Sequence, residues 1–137
     1  MKRFCCAILA FAVIIACVIP AMGAVIEQPV SPKYTYIAKL SAALSINKNT
    51  GVASCGGSCS APGGASIKLT CRLQRYNGSS WTTVNTWSTT ATQATAINKY
   101  SAVASGYTYR VRITCSVYNS SGTLVESGTC YSNQVVY

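Results

Sequence analysis

Tyr107-Thr108-Tyr109-Arg110-Val111-Arg112-Ile113-Thr114-Cys115-Ser116-Val117-Tyr118 alternates apolar and polar side chains without a break. A period of two is the signature of a β-strand with one face buried, because successive side chains leave opposite sides of the backbone. Tyr107, Tyr109, Val111, Ile113, Cys115 and Val117 are therefore expected inward. Thr108, Arg110, Arg112 and Thr114 are expected outward. Ser105-Gly106 before the strand and Asn119-Ser120-Ser121-Gly122 after it have the composition of turns.

The same period extends in both directions along the chain. Upstream, Ser66 to Tyr76 places Ile67, Leu69, Cys71 and Leu73 on one face and Lys68, Thr70, Arg72 and Gln74 on the other. Asn77-Gly78 is a hairpin signal, with Ser79-Ser80 lengthening the loop, and Trp81 to Trp87 reads as the return strand. Ala94 to Val103 is a further strand, and the last begins near Thr123 and restarts at Gln134. Nearer the N-terminus, Tyr34, Tyr36, Ala38, Leu40, Ala42, Leu44 and Ile46 alternate. A helix competes there, since Ile37, Leu40 and Leu44 share a helical face, but the alternation is the longer pattern. Asn47 to Gly51 forms a turn, Val52 to Cys59 a second strand, and Ser60 to Gly64 a loop. Seven short strands at this spacing predict an all-β, antiparallel Greek-key sandwich of immunoglobulin-like type over residues 34–137.

Residues 1–23 carry a different pattern. Lys2 and Arg3 precede an uncharged run from Phe4 to Ile19, Pro20 breaks it, and Ala21-Met22-Gly23 provides small residues for cleavage. That is the layout of a secretory signal peptide, and the run is short for a membrane span, which needs about 20 apolar residues. Ile14-Ile15-Ala16-Cys17 also resembles a lipobox, which would tether the protein to the cell surface through a lipidated Cys17. The residues after Cys17 stay apolar to Ile26, so soluble export is the reading favoured. Residues 24–33, with Pro29 and Pro32, form a linker.

Export makes disulfides expected among Cys55, Cys59, Cys71, Cys115 and Cys130, an odd set that leaves a thiol over. In the sandwich the second strand faces the Tyr107 strand across the core. Cys55 or Cys59 is thus expected to bridge to Cys115. The Cys55-Gly-Gly-Ser-Cys59 spacing could also suggest a redox pair or half of a zinc site, against the simpler reading of disulfide cysteines.

What the chain lacks is as informative. It has no His and no Asp, which removes serine triads, Cys–His dyads and His-bearing metal sites. Its two acids, Glu27 and Glu126, fall in the linker and on the final strand, a poor arrangement for paired-carboxylate catalysis or for calcium. No motif presents a Ser–Lys or Cys–Lys nucleophile, so no enzymatic activity, cofactor or metal is expected.

Eleven Lys and Arg against those two acids set the net charge at +9, and losing Lys2 and Arg3 with a signal peptide lowers it by two. If the Ser66 and Tyr107 strands are neighbours, Lys68, Arg72, Arg110 and Arg112 share one outer face, either a site for polyanions or a solubilising surface. Trp81 and Trp87 share a face too unless a bulge intervenes, and beside Tyr76 they could stack on sugar rings or else belong to the core. Asn77 and Asn119 head glycosylation sequons in turns where such residues are common anyway.

Gly106 to Ile113 resembles the sixth strand of fibronectin type III and immunoglobulin-like domains. There a tyrosine closes a corner onto upstream backbone, a role the resemblance assigns to Tyr109, with Tyr107 as the fallback. More broadly, Leu73-Gln74-Arg75-Tyr76 with Trp81 and Trp87, the Tyr-Arg-Val strand, Val125-Glu126-Ser127 and Tyr131-Ser132 are similar to a family of short secreted β-sandwich proteins of Gram-positive bacteria, of unknown function. The resemblance spans about three quarters of the chain, implies fold and export, and implies no activity. The function expected is a secreted or cell-surface binding module for an anionic envelope polymer or glycan. The alternative is a secreted cationic effector acting on other cells' surfaces. Nucleic acid is not an expected partner of an exported chain, and a membrane is one only if Cys17 is lipidated.

Overall fold

The computed structural model describes residues 34–137; the signal-peptide, lipobox and linker readings fall outside them. Eight strands follow in order: β1 Lys39–Asn47, β2 Val52–Ser60, β3 Ser66–Tyr76, β4 Trp81–Thr92, β5 Ala94–Ala102, β6 Thr108–Tyr118, β7 Leu124–Tyr131 and the short β8 Val135–Val136. All pairings are antiparallel. One sheet runs β1-β2-β5, the other β4-β3-β6-β7 with β8 on β6. Among the described residues there is no helix. Two antiparallel sheets with these crossovers make an immunoglobulin-like, fibronectin III-like sandwich of seven main strands.

The core sets the mostly large inward residues of one sheet against a mixture of large and small ones on the other. β3 contributes Ile67, Leu69, Cys71 and Leu73, and β6 contributes Tyr109, Val111, Ile113, Cys115 and Val117, all buried. The facing sheet answers with Leu40, Ala42, Leu44, Ala53, Cys55, Cys59 and Ile97. Burying each large aliphatic side chain stabilises the fold by about 1.5–3 kcal/mol before entropy is counted. Gly57 shows how close the sheets come: a Cβ there would lie 2.4 Å from Ile113 Cδ1 and 2.8 Å from the Ser41 carbonyl. Glycine in a strand usually weakens it, and here it marks that close approach.

Three covalent or polar ties fix the frame. Cys59 of β2 is bridged to Cys115 of β6 with a Cα–Cα separation of 6.4 Å, joining the two sheets. Tyr109 Oη donates to the Ala104 carbonyl at 2.6 Å, tying the start of β6 to the chain before it. Gln93, at φ 68°, carries the chain from β4 in one sheet to β5 in the other. Its N–H bonds the Ala65 carbonyl and its own carbonyl accepts from Ala61, which offsets the cost of a left-handed non-glycine residue.

Two expectations about strand faces need correction. Tyr107 is not inward; it is exposed, edge-on to Tyr109 with ring centroids 6.4 Å apart and beneath the Arg75 guanidinium. At the N-terminal end the alternation does not reach back to Tyr34, because β1 begins only at Lys39. Ile37 is buried, whereas Tyr36 and Ala38 are exposed. The cause is a clamp: the Glu126 carboxylate accepts from the backbone N–H groups of Thr35, Tyr36 and Ile37, each at 2.7 Å. Three successive donors turned toward one acceptor cannot alternate like a strand. Gly128 is the seat of this segment, since a Cβ there would lie 2.9 Å from Ile37 and 3.0 Å from Tyr34.

Candidate binding face

β3 and β6 are hydrogen-bonded neighbours over their whole length, and their register stacks the outward side chains in rows. Arg72 is directly opposite Arg112, Gln74 opposite Arg110, and Thr70 opposite Thr114. β7 adds Tyr131 beside Arg112 and Thr129 beside Thr114, and β4 adds Trp81 beside Tyr76. Lys68 lies two residues beyond Thr70 on the same face, exposed. The register therefore brings Lys68, Arg72, Arg110 and Arg112 together on one outer surface.

The two tryptophans part company. The β3–β4 register shifts between Leu73 and Gln74, so that Asn85 faces Leu73, Thr83 faces Gln74, and Val84 is the extra residue. A bulge of one residue inverts the faces on either side of it. Trp87 is paired with the inward Cys71 and packs against the core, whereas Trp81 is paired with Tyr76 on the outer face. The expectation of a shared face is thus corrected: only Trp81 joins the basic residues.

Trp81 is engaged rather than free. The Arg110 guanidinium lies between two rings, 4.1 Å from the Trp81 centroid and 4.3 Å from that of Tyr131. Its Nε donates to Gln74 Oε1 at 2.9 Å, which satisfies the carbonyl oxygen of the buried Gln74 side chain. Tyr76 leans on Trp81 at a centroid distance of 5.2 Å, and its Oη donates to the Gly78 carbonyl. Each cation–π contact contributes about 0.5–1 kcal/mol at exposed sites and more as it is desolvated. Both faces of Arg110 are covered and its Nε is used, so only its terminal amino edge points outward. Arg112 has a different exposure of its donors: its Nε is buried and has no hydrogen-bond partner.

Counter-charge is missing from this face. Glu126 is the sole acidic side chain among the described residues, and it is held by the clamp on residues 35–37. Desolvation raises its pKa, but the three backbone donors outweigh that and leave it below the ordinary glutamate value. It is paired with Val117, a residue of the inward face, and so lies on the other side of the sheet from the arginines.

The cysteines offer no second chemistry. Cys55 and Cys59 point the same way from one strand four residues apart, about 13 Å, too far to bridge each other or share a metal. Among the described residues no group of three or more His, Cys, Asp or Glu could hold a metal ion. Cys55, Cys71 and Cys130 are buried thiols. Burial, reinforced by the nearby Cys71, pushes the Cys55 thiol up to about 12, and burial pushes Cys71 and Cys130 each to about 11. Such thiols are poor nucleophiles at neutral pH.

Asn77 and Asn119, the sequon asparagines, close their own turns. Asn77 Oδ1 accepts from Ser79 and Ser80, and Asn119 Oδ1 from Ser121 and Thr123. Tyr131 is the residue of the face that sequence reasoning missed. Its signal was available, since Cys130 on the inward side puts Tyr131 outward on a strand beside Arg112.

No protein-family model matches this chain, and no curated protein is a significant match to it.

Proposed function

We propose that the chain is an exported, non-catalytic binding module that holds an anionic envelope polymer or acidic glycan on the outer face of its five-stranded sheet. The observation that carries this reading is the gathering of Lys68, Arg72, Arg110 and Arg112 on one face with no carboxylate among them. A surface of one sign attracts polyanions and raises their rate of encounter. The Trp81–Arg110–Tyr131 stack favours charge over sugar stacking as the means of contact, because the ring faces nearest the cations are already covered. Export is supported by the signal-like N-terminus and is compatible with the Cys59–Cys115 bridge. A non-catalytic role is supported by the lack of His and Asp.

The test is retention on isolated cell walls as NaCl rises from about 50 to about 500 mM, a range that shortens screening through the 8 Å physiological Debye length. Retention should fall steeply. Replacing Arg110 and Arg112 together with neutral residues should weaken it more than replacing Lys33 and Lys48. Retention that ignores salt but disappears on replacing Trp81 would overturn the reading in favour of sugar stacking.

A further inference from the structure

Arg72 and Arg112 are cross-strand partners, which puts two guanidinium-bearing side chains directly opposite each other on one face. Opposed residues of an antiparallel pair have Cα atoms about 5 Å apart, and like charges so placed destabilise the sheet. Among the described residues nothing acidic relieves them: Glu126 is on the inward side and committed to backbone donors. The buried Nε of Arg112 is without a partner. Arg110, one row away, cannot swing in to change the arrangement, being held by Gln74, Trp81 and Tyr131. On the other side of the pair lies a row of hydroxyls in two bonded pairs, Thr70 with Ser88 at 3.3 Å and Thr114 with Thr129 at 3.4 Å.

We infer that Arg72 and Arg112 form a two-forked site for one tetrahedral ester oxyanion, a phosphodiester or sulfate ester of an extended polymer, bounded by the fixed Arg110 and the Thr70–Thr114 hydroxyls. This rests on the binding reading above and deepens it by naming the group that is held. The choice of chemistry follows from the number of forks. A planar carboxylate presents two oxygens in one plane, and a single guanidinium takes both of them. A tetrahedral oxyanion projects oxygens in several directions and can accept from two guanidinium planes at once. The hydroxyl row adds neutral donors on the Thr70 and Thr114 side, and the locked Arg110 adds charge on the other.

The experiment compares soluble polyphosphate, dextran sulfate and poly-L-glutamate of matched charge, binding to the full-length protein at about 0.1 M salt. One variant keeps the charge and removes the forks: Arg72→Lys with Arg112→Lys. Wild-type protein should prefer at least one tetrahedral polymer over polyglutamate by about tenfold, the size of one lost charge-assisted hydrogen bond. The polymer preferred tells phosphate from sulfate. The double lysine variant should keep salt-dependent binding and lose that preference, with an unchanged melting temperature showing that the fold is intact. Equal binding of polyglutamate by wild type, or an undiminished preference in the lysine variant, overturns the fork site and leaves the polyanion reading standing. Binding of none of the three overturns both.

Discussion

The two sheets share one core and differ most on their outer faces. The five-stranded sheet presents arginines and aromatic rings locked into a row: Trp81, Arg110 and Tyr131, with Arg72 and Arg112 beside them. The three-stranded sheet presents Ser41, Ala43, Ser45, Ser54, Gly56, Ser58 and Asn98, which with Leu44, Gly57 and Asn133 line an open pocket of about 480 Å³. Its polar contacts are short and local, such as Ser41 to Ser58 at 2.6 Å and Ser54 to Asn98 at 3.2 Å. The inner faces had to be complementary, because together they fill one core. The outer faces had no such constraint. Ordering an arginine between two rings costs side-chain entropy that core formation does not require. The sheet that bears this cost is the better place to look for a partner.

The largest expected effect comes from cutting the tie between the sheets. Cys59→Ala with Cys115→Ala opens a 56-residue separation, worth about 4 kcal/mol in the chain-entropy account of disulfides. Urea denaturation should report that loss, and a change under about 1 kcal/mol would mean that packing alone holds the sheets together. Next is the close approach on the small-residue side. Gly57→Ala forces a Cβ against Ile113 and should cost about 1–3 kcal/mol, whereas Gly56→Ala, whose nearest neighbour is 3.4 Å away, should cost under 1 kcal/mol. Comparable losses in thermal melts would put the inward constraint elsewhere.

The tryptophans sharpen the comparison further. Trp87→Ala should destabilise by about 2–3 kcal/mol and leave polyanion binding alone, because Trp87 packs against the core. Trp81→Ala should cost about 1 kcal/mol and weaken binding, since it frees one face of Arg110. The reverse pattern would place the bulge at Val84 wrongly.

The smallest effect is one of pH. The Glu126 pKa is lower in the folded chain than in the unfolded one, so its contribution is present above the ordinary glutamate value and is lost as pH falls through the folded value. Glu126→Gln should therefore melt lower than wild type near pH 6, with the gap closing below about pH 4. A gap that persists into acid would mean that the clamp does not depend on charge.

How much of this was legible in the residues differs between the faces. The inward pattern of β3 and β6 was readable because alternation is enforced by burial: Leu69 or Ile113 on the wrong side would expose an aliphatic side chain to water. The grouping of Lys68, Arg72, Arg110 and Arg112 followed from that pattern together with strand adjacency. The bulge at Val84 was not readable, since Thr82-Thr83-Val84-Asn85-Thr86 contains no glycine or proline to mark it and an exposed edge strand tolerates either parity. The failure of alternation at Tyr34 to Ala38 had a similar origin. Its cause is Glu126, ninety-one residues from Thr35, and local periodicity carries no information about a contact at that range. The choice between Cys55 and Cys59 as partner of Cys115 also needed the register, because both face inward from one strand.

The clamp on Glu126 has a consequence for how the basic face would behave in a changing environment. With no His and no Asp in the sequence, the buried thiols pushed up to about 11 to 12 and Glu126 held below the ordinary glutamate value, none of these four groups changes its charge between about pH 5.5 and 7.5. If the binding reading holds, the hold on a polymer that stays ionised over that range is expected to follow ionic strength.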